Sequence, residues 1–311
     1  MDSRFFTDDS KNVEMIQKII DLKREKNAAI FAHFYQNMDI QRIADVVGDS
    51  HELSRKAADI DCDIIVLCGV SFMAESAKIL NPSKKVLHPE PSAGCPMADM
   101  ISADDVLKLK AKYPDAAVVC YVNSSANTKA VCDICCTSSN AVRVVNSLPN
   151  KQIVFVPDKN LGAFVAEQVP DKEFIFFDGG CPIHKNLTTE IVRTAKISHP
   201  DAPFAVHPEC AADIVAMADF VGSTSQILDF VAESDAKEFL IGTEIGVVDR
   251  LNVLCEGKKA ILVSPLLVCP DMKKITIESV LNVLENESNE VIMTAEAIEK
   301  AYLPLVRMIQ V

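Results

Sequence analysis

Gly94-Cys95-Pro96-Met97, Gly180-Cys181-Pro182-Ile183 and Val268-Cys269-Pro270-Asp271 carry one cysteine-proline pair at three points, 86 and 88 residues apart. A near-constant interval of that size marks an internal repeat. Other chemistry keeps the same interval. His33, Tyr121 and His207 are 88 and 86 apart, and each closes a short apolar run, at 28–32, 117–120 and 204–206. Two places on stand Tyr35, Asn123 and Glu209, and Ser50, Ser138 and Thr224 repeat the same separations. Chance aligns one set of cysteines more readily than it aligns three further sets of polar residues with them, so the chain reads as three copies of one unit of about 87 residues.

Each copy holds three apolar runs: 28–32, 64–68 and 85–87, then 117–121, 153–156 and 174–177, then 203–206, 238–241 and 260–263. Stretches of helical period lie between them, such as 39–47, 51–59 and 72–80. Runs that are apolar throughout are strands buried on both faces; separated by helices, they spell β-α-β-α-β, a small parallel sheet wrapped by helices. The expected fold class is therefore α/β, with three similar domains over 27–114, 115–201 and 202–311 about a pseudo-threefold axis. A leader helix within residues 1–26 precedes them, with Ser10 as N-cap and Val13, Ile16, Ile19 and Ile20 as its apolar stripe. The last domain is expected to end in a helix over 293–310, interrupted at Pro304.

The chain has 311 residues, 49% of them hydrophobic, enough for sizeable cores. A formal charge of −13 speaks against nucleic acid, whose phosphates require a basic surface. Anionic metabolites stay open, because helix N-termini bind them whatever the net charge. Neither a signal peptide nor a run of membrane-spanning length is read, so the expected location is the cytoplasm. Eleven cysteines there are kept as thiols, which favours ligation or catalysis over a disulfide framework.

Three thiolates from separate units suit a metal or iron-sulfur centre, and a proline often follows a ligand cysteine in such motifs. Three protein ligands on a cubane leave one iron open to act as a Lewis acid. A single cysteine is more often core than ligand, and Cys62, Cys68, Cys120, Cys210 and Cys255 are read that way. Cys132-x-x-Cys135, followed by Cys136, has the spacing of a redox or zinc pair; no second pair supports zinc, and a reversible disulfide stays open.

Ser50, Ser138 and Thr224 stand where helices begin, and capping alone accounts for any one of them. Their shared period favours an anion pocket of hydroxyls and backbone amides. His51, His88 and His199 read as surface or satisfied core residues. His33 and His207, at strand ends in the same phase, supply with Tyr35, Tyr121 and Glu209 groups able to exchange protons near neutral pH. His184, three after Cys181, is placed to orient a substrate.

These residues lie in an ordered set: Ala32-His33-Phe34-Tyr35-Gln36, Gly48-Asp49-Ser50, Phe72-Met73-Ala74-Glu75, Tyr121-Val122-Asn123, Cys136-Thr137-Ser138-Ser139-Asn140 and Pro157-Asp158-Lys159-Asn160. Gly180-Cys181-Pro182-Ile183-His184, His207-Pro208-Glu209-Cys210, Gly222-Ser223-Thr224, Gly242-Thr243-Glu244-Ile245-Gly246 and Met272-Lys273-Lys274 follow. Together they resemble the quinolinate synthase family over nearly the whole chain. The resemblance implies three α/β domains and a 4Fe-4S cluster held by Cys95, Cys181 and Cys269. It implies condensation of iminoaspartate with dihydroxyacetone phosphate to quinolinate, with loss of phosphate and water, in NAD biosynthesis. A functional link to an L-aspartate-oxidising enzyme, which would supply the imine, goes with it. By motif, Glu209, Tyr35, His33, Tyr121 and His184 are the implied catalytic residues. His33, Ser50, Tyr121, Asn123, Ser138, His207, Glu209 and Thr224 are the implied substrate contacts. A cluster-dependent hydro-lyase of a small hydroxy acid and a non-enzymatic iron-sulfur sensor are the rival readings; the absence of a basic or DNA-reading segment weighs against the sensor.

Overall fold

The structure, a computed structural model, describes residues 10–311, with side chains from residue 12. Its apolar runs form three four-stranded, all-parallel sheets among the described residues. The first contains β1 (Ala28–His33), β2 (Val46–Gly48), β3 (Ile64–Cys68) and β4 (Lys85–Leu87) in the order β2-β1-β3-β4. The second contains β5 (Ala117–Tyr121), β6 (Ile134–Cys136), β7 (Gln152–Val156) and β8 (Glu173–Phe176), ordered β6-β5-β7-β8. The third contains β9 (Phe204–Val206), β10 (Phe220–Val221), β11 (Glu238–Gly242) and β12 (Lys259–Leu262), ordered β10-β9-β11-β12. One topology thus occurs three times, as the repeat requires.

Each sheet has one strand more than the apolar runs announce. Residues 39–47, expected as one helix, are α2 (Met38–Ile43) followed by the edge strand β2. Edge strands of two or three residues, like β2, β6 and β10, are too short for any periodicity to register. Polar residues with the same interval hold them. The Asp45 amide donates to the Ile30 carbonyl at 2.8 Å while its carboxylate accepts the Ile30 amide at 2.7 Å. Asp133 treats Val118 alike at 3.1 and 2.7 Å, and Asp219 treats Phe204 at 2.8 and 2.8 Å. Lys23, Lys110 and Lys196 pair with those aspartates at 2.7, 2.9 and 3.2 Å. A second lysine per copy, Lys84, Lys172 or Lys258, donates to the last carbonyls of a helix at Ile60, Leu148 or Val231, where a cation also suits the helix dipole.

Several helices between strands begin where a polar side chain accepts an amide of the first turn. Asp49 caps α3 (Ser50–Asp59), Asp158 caps α8 (Lys159–Gln168), Ser223 caps α11 (Thr224–Glu233) and Glu244 caps α12 (Ile245–Leu254). Helix α4 (Ser71–Leu80) completes the first copy's expected pattern. Among the described residues no helix is long and apolar enough to cross a membrane.

The described chain forms two compact units, one of residues up to Gly94 with Cys269–Met293, the other of Cys95–Val268 with Thr294–Val311. In the first, α1 (Ser10–Glu25) and α13 (Ile277–Asn286) pack together over the sheet, with Ile19 meeting Val280, Val283 and Leu284 above Ile30, Val66 and Leu87. Met15, Ile16 and Leu22 join Ile19, whereas Val13, expected on the stripe, is 44% exposed. The Ser10 cap lies outside the described side chains. In the second unit α14 (Ala295–Gln310) packs on β6 and runs through Pro304 without the expected break, with Ala301, Leu305 and Met308 buried on one face. That packing outweighs the single backbone bond a helical proline forfeits. Leu284→Ala, which empties a fully buried site, is expected to lower stability by about 2–5 kcal/mol in a urea melt.

Candidate active site

Parallel sheets present ligand-binding groups beyond the carboxyl ends of their strands, where the chain departs to opposite sides. Each first strand here leads out to an edge strand, and the next crossover returns on its other side. His33 ends β1, Tyr121 ends β5 and His207 follows β9, so the repeat delivers all three to that position.

In the second unit these ends build one network. The Tyr121 hydroxyl donates to Glu209 Oε1 at 2.6 Å. Glu209 Oε2 lies 2.8 Å from His184 Nδ1, off the line of a hydrogen bond, and 3.7 Å from His207 Nδ1. His207 Nδ1 accepts the Glu209 amide at 3.3 Å, which leaves Nε2 to donate to Ser138 Oγ at 3.2 Å. His184 Nε2 meets the Thr243 hydroxyl at 3.1 Å, and its ring lies 5.1 Å from that of His207. Thr243 escaped the sequence reading as an individual residue; its signal was a place in Gly242-Thr243-Glu244, directly after β11.

Burial alone would raise the Glu209 pKa, but the nearby His207 and His184 rings and the hydrogen bond from Tyr121 outweigh it and hold the carboxyl at about 2. Asp158, also buried, is pushed the other way, to about 7, by burial and by the Glu209 charge. Burial likewise pushes the Cys181 thiol well up, with Glu209 and Cys95 adding to it. Cys181, His184 and Glu209 bring ligand atoms within 4.8 Å of one another.

The first unit repeats part of this pattern. His33 Nδ1 accepts the Tyr35 amide at 3.1 Å, the counterpart of His207 and Glu209, and the two rings meet edge to face at 4.6 Å. Lys273 donates to the Tyr35 carbonyl at 2.6 Å and Gln36 Nε2 lies 3.4 Å from Met272 Sδ, so the segment after Cys269 is tied to the end of β1.

Cys95, Cys181 and Cys269 open one local structure three times. Their carbonyls accept the amides of Asp99, Lys185 and Lys273 at 3.2, 3.1 and 3.3 Å, closing a 3-10 turn at Ala98–Met100, His184–Asn186 or Met272–Lys274. Seven residues after each cysteine, Ser102, Thr188 or Thr276 caps the next helix. All three cysteines are half-buried, whereas Cys62, Cys68, Cys120 and Cys210 are buried in the core. Cys255 is half-buried too, but lacks the turn.

The cysteine pair at 132 and 135 meets differently from its spacing. Cys120 is the cross-strand neighbour of Cys135 in the sheet and lies close to Cys132, while the Cys120 and Cys132 thiols donate to the Tyr121 and Thr128 carbonyls at 3.5 and 3.1 Å. His88 is buried and bonded to the Gly69 carbonyl, and His199 pairs with Glu238, so both have structural partners.

For the hydroxyl triplet, capping falls to neighbours. Asp49 and Ser223 are the caps, so Ser50 and Thr224 stand one place inside their helices. Ser138 lies before α7 (Ala141–Ser147), in a turn held by Asn140 Oδ1 on the Thr137 amide. Asn123 Oδ1 is buried without a hydrogen-bond partner among the described residues, an acceptor that a ligand would satisfy.

A family model described as quinolinate synthetase A protein matches residues 17–310. A quinolinate synthase of Sulfurihydrogenibium sp. is 52% identical over 305 residues, spanning 96% of this chain and 99% of the relative. One from Caldicellulosiruptor saccharolyticus is 52% identical over 300 residues, with 96% and 99% covered. The Aquifex aeolicus quinolinate synthase is 48% identical over 302 residues, with 96% and 94% covered. With the repeat, the three sheets and matches over almost its entire length, this chain belongs to the quinolinate synthetase A family.

Proposed function

We propose that this chain is a quinolinate synthase, a transferase that condenses iminoaspartate with dihydroxyacetone phosphate in NAD biosynthesis, in the cytoplasm. The observation that carries the reading is the buried Tyr121–Glu209–His184 network beside Cys181, in a member of that family. An enzyme that oxidises L-aspartate supplies the imine.

Cys95, Cys181 and Cys269 are the residues that would hold a 4Fe-4S cluster. Their shared turn and partial exposure fit that role, and so does the approach of a carboxylate and an imidazole to Cys181. When bound, a cluster with three protein ligands supplies one iron with an open position, a Lewis acid toward a substrate oxygen.

The chain's own groups supply the rest. Glu209, ionised at any neutral pH, is the acceptor for a proton from a substrate carbon, and Tyr121 and His184 beside it return protons to departing oxygens. His33 and Tyr35 form a matching pair at the end of β1. Ser50, Ser138 and Thr224, with Asn123, bind carboxylate and phosphate oxygens, and His207 orients Ser138 through their hydrogen bond. Holding two small reactants against these groups converts an encounter in solution into an intramolecular step.

The test is to incubate reduced, anaerobically prepared protein with iminoaspartate and dihydroxyacetone phosphate and assay for quinolinate and phosphate. Both are expected in equal amounts. An iron-loaded protein that yields neither, yet dehydrates a hydroxy acid, would be the hydro-lyase instead.

A further inference from the structure

At the start of α8, just beyond β7, the cap Asp158 and Asn160 of the first turn reach Cys181 and Glu209 from a single short segment. Asp158 is fully buried. Its Oδ1 accepts the Leu161 amide at 2.8 Å, which caps α8, while Oδ2 accepts the Cys181 amide at 3.2 Å. Two places on, Asn160 Nδ2 donates to the Glu209 carbonyl at 2.9 Å. The backbone is fastened there as well: Asp158 bridges Gly179 in parallel register, and the Lys159 amide donates to the Gly179 carbonyl at 3.0 Å. A Cβ on Gly179 would sit 2.5 Å from the Pro157 carbonyl oxygen, so only glycine lets the chain entering Cys181 lie this close.

Capping explains one oxygen of Asp158 and not the other. Serine caps a helix as well as aspartate does, and burying a carboxylate costs more than burying a hydroxyl. The second oxygen, on the Cys181 amide, accounts for the choice. We propose that Asp158 and Asn160 are positioning residues, which together set the separation of Cys181 and Glu209 by holding the backbone of each. Neither side chain needs to touch substrate. The inference rests on the reading of Cys181 as a cluster ligand and of Glu209 as the proton acceptor.

Asp158→Ser separates the two duties, since serine restores the cap and is too short to reach Cys181 as well. The metal-free variant is expected to melt with the wild type. After anaerobic reconstitution it is expected to lose iron to a chelator about 10–100-fold faster, the usual effect of removing a partner that orients a metal ligand. The electron paramagnetic resonance spectrum of its reduced form should change too, which a cap alone would not cause. If serine unfolds the protein, Asp158→Asn, of equal volume but one acceptor fewer, decides the question by the same readouts. Asn160→Ala should keep the iron and spectrum of the wild type while kcat falls about 10-fold or more at unchanged KM, the mark of a misplaced reacting group. Wild-type iron retention in both Asp158 variants, or wild-type kcat in Asn160→Ala, overturns the inference alone. A wild type that takes up no iron overturns the cluster reading, and this inference with it.

Discussion

Cys181→Ser is expected to give protein that stays colourless and iron-free after anaerobic reconstitution, with no quinolinate formed. A serine oxygen is a hard, weakly acidic donor where a soft thiolate is required, so the substitution removes a ligand with almost no change in volume. Cys95→Ser and Cys269→Ser should behave alike, because all three cysteines stand at the head of the same turn and the same capped helix. Cys62→Ser is the control: its side chain is buried in the first unit and belongs to no such turn, so iron content should be untouched. The measurement is bound iron with the visible absorbance of the reconstituted protein. Equal loss in all four variants would dismiss the ligand assignment.

Glu209→Gln is expected to keep its iron and lose about 10²–10⁴-fold in turnover, the range for removal of a general base. Glutamine preserves the shape and can still accept the Tyr121 hydroxyl, but carries no charge for His184 to face. Full turnover in the variant would remove Glu209 from the mechanism. The same substitution has a signature in stability. The folded pKa, about 2, lies below the ordinary glutamate value of about 4.3, so the ionised form stabilises the native state. That contribution is complete above the ordinary value and is lost as pH falls through about 2. In the metal-free protein, the excess melting temperature of wild type over Glu209→Gln should be steady near neutrality and shrink between about pH 4.3 and 2.

Much of this was legible in the chain because the repeat multiplies weak signals. One His after one apolar run says little; His33, Tyr121 and His207 in phase locate three strand ends, and all three fall there. The edge strands were not legible, because two or three residues cannot display a period, and what secures them is Asp45, Asp133 and Asp219 with Lys23, Lys110 and Lys196. Those charges also recur at the repeat interval, yet a charged residue on its own reads as a solvated surface. The meeting of Cys120 with Cys132 and Cys135 was hidden for the opposite reason: spacing along one segment masks a neighbour across the sheet. Asp158 read as one residue of a motif, since a helix cap predicts one hydrogen bond and the second depends on where Cys181 returns. The partners of the last helices were illegible too. An amphipathic pattern declares that a face is buried, not that 277–286 will cover the first sheet or that 295–310 will lie on β6.

That last arrangement bears on how the protein is made. On the ribosome, Ile30, Val66 and Leu87 emerge well before Val280, Val283 and Leu284, their cover. The first unit cannot close until Cys269–Met293 has emerged and must wait for it with apolar surface open. A premature stop before Cys269 would therefore not trim a tail but leave the earliest-made sheet uncovered, prey to proteases and aggregation.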